Sequence, residues 1–170
     1  LTFSPFAWME GGFYYADITG KEYGNNFKQS LKDKGFNVKF RLKEQGDYPA
    51  LALGFNDFAG TGLYGSEYLV SSYKFNKLDF TFGLGWGKLA GSATISNPLI
   101  ELNNRFSERD NDTGFGGDFN FDNYFSGANA AIFGGIEYEY NSNLSLKLEY
   151  DTTELPGRIG YEVTDLKVNL

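Results

Sequence analysis

Residues 78–87 read LDFTFGLGWG. Leu78, Phe80, Phe82, Leu84 and Trp86 take alternate positions, with Asp79, Thr81, Gly83, Gly85 and Gly87 between them. Alternation with a period of two marks a strand, because successive side chains leave opposite faces of the pleat. One face of this strand is made of rings and aliphatic chains, and the other has almost no side chain. A face turned to water usually carries long polar residues and gains nothing from glycine, so the bare face needs a different explanation.

The flanking segments repeat the pattern. In FNVKFRLK (36–43), Phe36, Val38, Phe40 and Leu42 oppose Asn37, Lys39, Arg41 and Lys43. In PALALGFNDF (49–58), Leu51, Leu53 and Phe55 oppose Ala50, Ala52 and Gly54, with Pro49 at the first position, where its missing donor is harmless. EYLVSSYKF (67–75) alternates more weakly. In IFGGIEYEY (132–140) and LSLKLEY (144–150), Ile132, Ile136, Tyr138, Tyr140, Leu144, Leu146, Leu148 and Tyr150 oppose Glu137, Glu139, Lys147 and Glu149. Residues 4–18 predict a long ring-rich strand bent at Gly11 and Gly12, and residues 158–168 a last strand. Residues 19–34 read as a polar loop with one helical turn near 27–31. Residues 88–130, dense in Asn, Asp, Gly and Ser, read as a long irregular loop.

Eight strands result, and their connections alternate in length. Those at 19–34, 59–66, 88–130 and 151–157 are long, and those at 44–48, 76–77 and 141–143 are short. An up-and-down barrel places odd and even connections on opposite rims, and outer-membrane barrels keep short turns on one side and long loops on the other.

Composition agrees with strands. Of 170 residues 18% are aromatic, with 17 Phe, 12 Tyr and 22 Gly, so apolar content comes as rings and the chain is rich in turn formers. There is no Cys or His, which removes disulfides, thiolate nucleophiles, His-containing triads and most zinc sites. A net charge of −7 without a basic stripe argues against nucleic acid. No apolar run approaches the roughly 18 residues of a membrane-spanning helix, a test that does not bear on transmembrane strands.

Two environments fit the alternation. In a lipid-embedded barrel the rings face outward, while Lys39, Arg41, Glu137, Glu139, Lys147 and Glu149 pair in a narrow lumen where glycines leave room for side chains from other strands. In a soluble antiparallel module that binds glycan or protein, the rings form a core and the same charges are solvated. The bare face of 78–87 favours the first. Trp8, Tyr15, Tyr48, Trp86, Tyr138, Tyr140 and Tyr150, near strand ends, fit an interfacial belt or a sheet core.

Residues 38–91, and especially DFAGTG (57–62), SEY (66–68) and LDFTFGLGWGKLAG (78–91), resemble the YjbH-type exopolysaccharide biosynthesis family. FRLKEQGDYPA (40–50) departs from the family's text at Gln45. GGIEYEYNSNLSLKLEYD (134–151) is similar to the family's later hairpin, and residues 1–18 to its opening strand. The resemblance implies an outer-membrane barrel that exports or retains surface polysaccharide, with other export proteins as partners. Family members are several times longer, which implies a sector of a larger or tandem barrel. The resemblance assigns no catalytic residue.

Other motifs carry less chemistry. GTGLYGSE (60–67) and GWGKLAGSA (85–93) lack phosphate-loop spacing. Asp110, Asp112, Asp118 and Asp122 lack the closing acid of a calcium loop, so a solvated surface loop is expected. Glu137 and Glu139 share a face at about 6.6 Å of strand rise, within the separations of glycosidase carboxylates, and so admit a polysaccharide hydrolase or lyase. Nearby lysines make ion pairing the simpler state. Phe115, Phe119, Phe121, Tyr124 and Phe125 offer rings that either stack on sugar or pack the loop onto the rim.

The expectation carried forward is an all-β, antiparallel up-and-down transmembrane β-barrel of about eight strands, or a sector of a larger one. It occupies residues 1–170 as a single domain in the bacterial outer membrane, in contact with lipid. It supports exopolysaccharide secretion or retention without catalysis, cofactor or metal.

Overall fold

The computed structural model describes residues 1–24, 27–60, 62–110 and 121–153. The alternating segments form one antiparallel sheet of nine strands: β1 (Thr2–Phe6), β2 (Met9–Gly24), β3 (Phe27–Lys43), β4 (Ala50–Asn56), β5 (Ser66–Phe75), β6 (Leu78–Gly85), β7 (Thr94–Ser96), β8 (Asn129–Asn141) and β9 (Leu144–Tyr150). Neighbours in sequence are neighbours in space, except that the short β7 lies beyond β8. β8 has β6 along one edge; along the other, β9 pairs with residues 134–141 and β7 with 129–131. No α-helix occurs among the described residues, and the sheet is open, with β1 and β2 at one edge and β7 and β9 at the other.

The up-and-down order is as the sequence predicts, and long and short connections alternate as predicted between residues 44 and 143. Connections at 7–8, 44–49, 76–77 and 142–143 lie at one end of the sheet, and those at 57–65 and 86–128 at the other. Several expectations need correction. Residues 4–18 are not one strand, because the chain turns at Ala7 and Trp8 between β1 and β2. Residues 19–34 are not a loop: β2 and β3 continue through them as a tall hairpin, in register from Met9↔Phe40 to Gly24↔Phe27 with two irregularities. The irregular region contains β7 and four 3-10 turns. The strand expected at 158–168 lies outside the described residues.

Register sorts the side chains into two faces. Rows such as Leu53–Leu69–Leu84–Ile132 and Tyr73–Phe80–Ile136–Leu148 run across the strands on the apolar face. Nothing among the described residues covers the middle of that face. Phe80 is 41% exposed, Phe82 59%, Ile136 43% and Leu148 50%. Among the described residues the buried hydrophobic ones are Ile18, Val38, Ala52, Trp86, Ala130 and Ala131, whereas the largest fully buried side chains are Glu67, Asn97, Thr152, Asp33 and Ser126. A soluble domain buries apolar side chains and leaves charged ones outside. Among the described residues rings stand exposed along the sheet while Glu67, Asp33 and Asp57 are buried, though most other charged side chains remain exposed.

Candidate functional site

The second face is built from small residues. Its rows read Arg41–Ala52–Val70–Gly83–Phe133, then Ala50–Ser72–Thr81–Gly135–Glu149, then Lys74–Asp79–Glu137–Lys147. Glycine is required where a neighbouring ring lies flat on the sheet. A Cβ on Gly54 would fall inside the Tyr68 ring, and one on Gly83 inside the Phe133 ring. These two rings meet edge to face at 6.2 Å. Gly54 and Gly83 are thus the seats of rings from adjacent strands, whereas Gly85 makes room for Leu89.

The six charged candidates share this face but do not form one network. Lys147 pairs with Glu137 at 3.0 Å, whereas Glu139 pairs at 2.6 Å with Lys74. Alternation in β5 was too weak to place Lys74 on this face from sequence. Arg41 bonds Glu44 at 2.7 Å near the short-turn end, and Lys39 stands opposite Glu10 in register. Glu149 ends the small-residue row. Both members of the Glu137–Glu139 pair hold ammonium groups, and half-exposed ion pairs of this kind contribute little to stability.

At the long-loop end, the excursion from β6 to β8 is fastened by buried polar groups. The Asn97 side chain accepts from Trp86 Nε1 (2.9 Å) and the Leu99 amide (3.0 Å). It donates to the carbonyls of Phe106, Phe125 and Gly127. Trp86, for which the sequence left open a belt or a core position, is buried beneath the excursion. Arg109 grips Glu67 with two hydrogen bonds, and Glu67 also accepts from the Phe125 amide at 2.8 Å. Phe125 sits at φ +61°, a region costly for a bulky residue, so its contacts must hold it there.

Phe125 packs edge-on against Trp86 (5.2 Å) and Phe55 (5.5 Å). Tyr124 stacks on Phe58 and donates to its carbonyl. Phe121 is 66% exposed with its ring edge toward Tyr124. Tyr124 and Phe125 thus pack the excursion onto the rim, leaving Phe121 as the outward ring among the described residues. Phe115 and Phe119 lie outside them, as do Asp112 and Asp118. Asp110 exchanges hydrogen bonds with Asn123, and Asp122 faces Arg105 at 3.9 Å. Among the described residues no group of three or more acidic side chains could hold a metal ion.

Beside this cluster, Asp57 and Asp33 are both buried. Tyr14 donates to Asp33 (2.9 Å), and Asp57 Oδ2 accepts the Tyr64 amide (3.2 Å). Asp57 Oδ1 is buried with no hydrogen-bond partner among the described residues, against Gly35 and Gly60. Burial pushes the Asp57 carboxyl up; the Tyr64 amide opposes that shift and the Asp33 charge adds to it. The sequence gives one signal of this site, the Asp57–Gly62 segment with its two glycines. Asn97 had a signal of its own, since an Asn before Pro98 caps a short turn.

Comparison with known proteins adds what the geometry does not. The model of the YjbH family, described as "Exopolysaccharide biosynthesis protein YbjH", matches residues 1–155. A curated protein of Escherichia coli (strain K12), "Uncharacterized lipoprotein YjbH", is 39% identical over 152 residues. The match covers 86% of this chain and 22% of that protein, so the chain spans about a fifth of its relative's length. No solved structure matches the chain.

Proposed function

The chain belongs to the YjbH exopolysaccharide biosynthesis family, and from that premise we propose that it forms part of the wall of an outer-membrane β-barrel. Its apolar face meets lipid and its small-residue face lines the lumen. The whole protein supports secretion or surface retention of exopolysaccharide without catalysing a reaction, alongside other export proteins.

The observation that carries this reading is the inverted distribution of side chains, with rings exposed along the sheet and Glu67, Asp33 and Asn97 buried. Lipid is a favourable environment for such a face, and water is not. Three other features support it. Central strands β4, β5, β6 and β8 have 7, 10, 8 and 13 residues, close to the roughly 9–11 that cross a bilayer at a tilt. Trp8, Tyr48, Tyr138 and Tyr140 are exposed near the short-turn end, where an interfacial belt would lie. The relative's printed name, a lipoprotein, fits the cell envelope. The two open edges fit a sector whose barrel is completed by other strands of a longer protein, since an open edge is not tolerated in lipid.

The test is heat-modifiability of the full-length protein extracted in mild detergent. A mobility difference between boiled and unboiled samples, from an outer-membrane fraction, is the expected result. Recovery in the soluble fraction without detergent contradicts the reading. The rings would then be the core of a soluble module.

A further inference from the structure

The small-residue row across β4, β5, β6, β8 and β9 forms the floor of a trough. Ala50, Ser72, Thr81 and Gly135 stand side by side, with Ser72 Oγ and Thr81 Oγ1 3.3 Å apart, and Glu149 closes the row. One wall is the row Lys74–Asp79–Glu137–Lys147. The other carries Gly83 and the Phe133 ring. Rows two residues away on either side put the walls about 13 Å apart along the strands. The resulting cavity, of about 400 Å³, includes Ser72, Thr81, Asp79, Glu137, Lys147 and Glu149 in its lining, with Phe133 at its side.

We infer that this trough is a sugar-binding subsite, selective for units without acidic groups and best suited to amino sugars. This rests on the proposal that the face lines a lumen through which, or against which, polysaccharide is held. Three features of the trough match a pyranose ring. Its width admits one ring, whose apolar face can rest on Phe133. The hydroxyls of Ser72 and Thr81 and the carboxylates of the wall supply donors and acceptors for sugar hydroxyls. The cavity lining holds four carboxylates (Asp79, Glu137, Glu149 and Asp151) and Lys147, and Lys74 at the end of the wall is paired to Glu139, so carboxylates outnumber ammonium groups. That balance attracts a protonated amino group and repels a uronate. Tyr124 and Phe125 cannot serve this purpose without releasing the excursion from the rim, which leaves the trough as the better-formed sugar site among the described residues.

The experiment uses full-length protein in detergent or nanodiscs, first shown to be heat-modifiable, and three probes titrated at low salt: a glucosamine tetramer, a cellotetraose and a tetragalacturonate. Expected is tightest binding of the glucosamine tetramer and at least about tenfold weaker binding of the tetragalacturonate, with the difference shrinking as salt screens the charges. Glu149→Lys and Asp79→Lys should reverse the order, and Thr81→Phe, which fills the floor, should weaken all probes while the protein stays heat-modifiable. Tighter binding of the uronate, or no binding of any probe by the folded protein, overturns the subsite and leaves the membrane reading standing. Binding that ignores all three variants overturns it too, by placing the sugar elsewhere. Failure of heat-modifiability would instead strike the lumen on which the inference rests.

Discussion

Arg109 reaches from the long excursion to Glu67 at the start of β5 and holds both its carboxylate oxygens, at 2.9 and 3.0 Å. Glu67 is 1% exposed. Removing one partner of a buried pair leaves a charge without compensation, which costs about 3–5 kcal/mol, whereas removing both costs less. Arg109→Leu should therefore lower the urea midpoint of the detergent-solubilised protein more than Arg109→Leu with Glu67→Gln. A double variant as unstable as the sum of the two single variants would show that the two residues act independently.

Asn97 donates to three carbonyls that have converged on one side-chain nitrogen. Asn97→Asp keeps the shape but turns those contacts into oxygen facing oxygen. The expected outcome is a larger loss of stability, read by urea midpoint, for Asn97→Asp than for Asn97→Ala, although only the Ala variant takes the acceptor from the Trp86 indole. Equal effects for Asp and Ala would mean that the donor side of the carboxamide contributes little.

Gly54 and Gly83 carry the rings of Tyr68 and Phe133. Gly83→Ala must displace the Phe133 ring, at a cost of about 1–3 kcal/mol typical of overpacking. Gly46, with no atom within 4 Å of a Cβ built on it, should accept alanine without comparable loss. Thermal midpoints of the two variants separate these cases, and equal midpoints would mean that the ring moves aside freely.

Asp57 has a raised pKa, so the folded protein binds its proton more tightly than the unfolded chain does. The stability this gives is fully present below the ordinary carboxylate value of about 3.9 and is lost as pH rises through the raised value. Asp57→Asn keeps an oxygen for the Tyr64 amide and removes the charge. It should flatten the pH dependence over that window and raise stability at neutral pH relative to the parent, read by urea midpoints on both sides of the window. An unchanged pH profile would assign the titration to another group.

The faces of β3, β4, β6, β8 and β9 and the alternation of connections were legible because lipid-facing or core-facing strands must repeat every two residues. The β2–β3 hairpin was not. Residues 19–34 are mostly polar in sequence, so no alternation of apolar with polar residues marks a strand there. The break at Ala7 and Trp8 was masked by a continuous run of rings. Lys147–Glu137 could be anticipated from opposite charges in adjacent strands. Arg109–Glu67, separated by 42 residues, has no local pattern that would announce it.

Which environment the rings meet is decided by nitroxide labels placed one at a time at residues 79–83 and 134–138 in a cysteine-free full-length protein reconstituted in liposomes. This chain contributes no cysteine of its own. In a lipid-facing wall, labels at Phe80, Phe82 and Ile136 are accessible to oxygen, which concentrates in lipid, and closed to a water-soluble nickel chelate. Labels at Asp79, Thr81 and Glu137 should show the reverse, giving a period of two along each strand. Labels at Phe80, Phe82 and Ile136 closed to both reagents would mean a protein core lies over them, and the lipid-facing wall would be wrong.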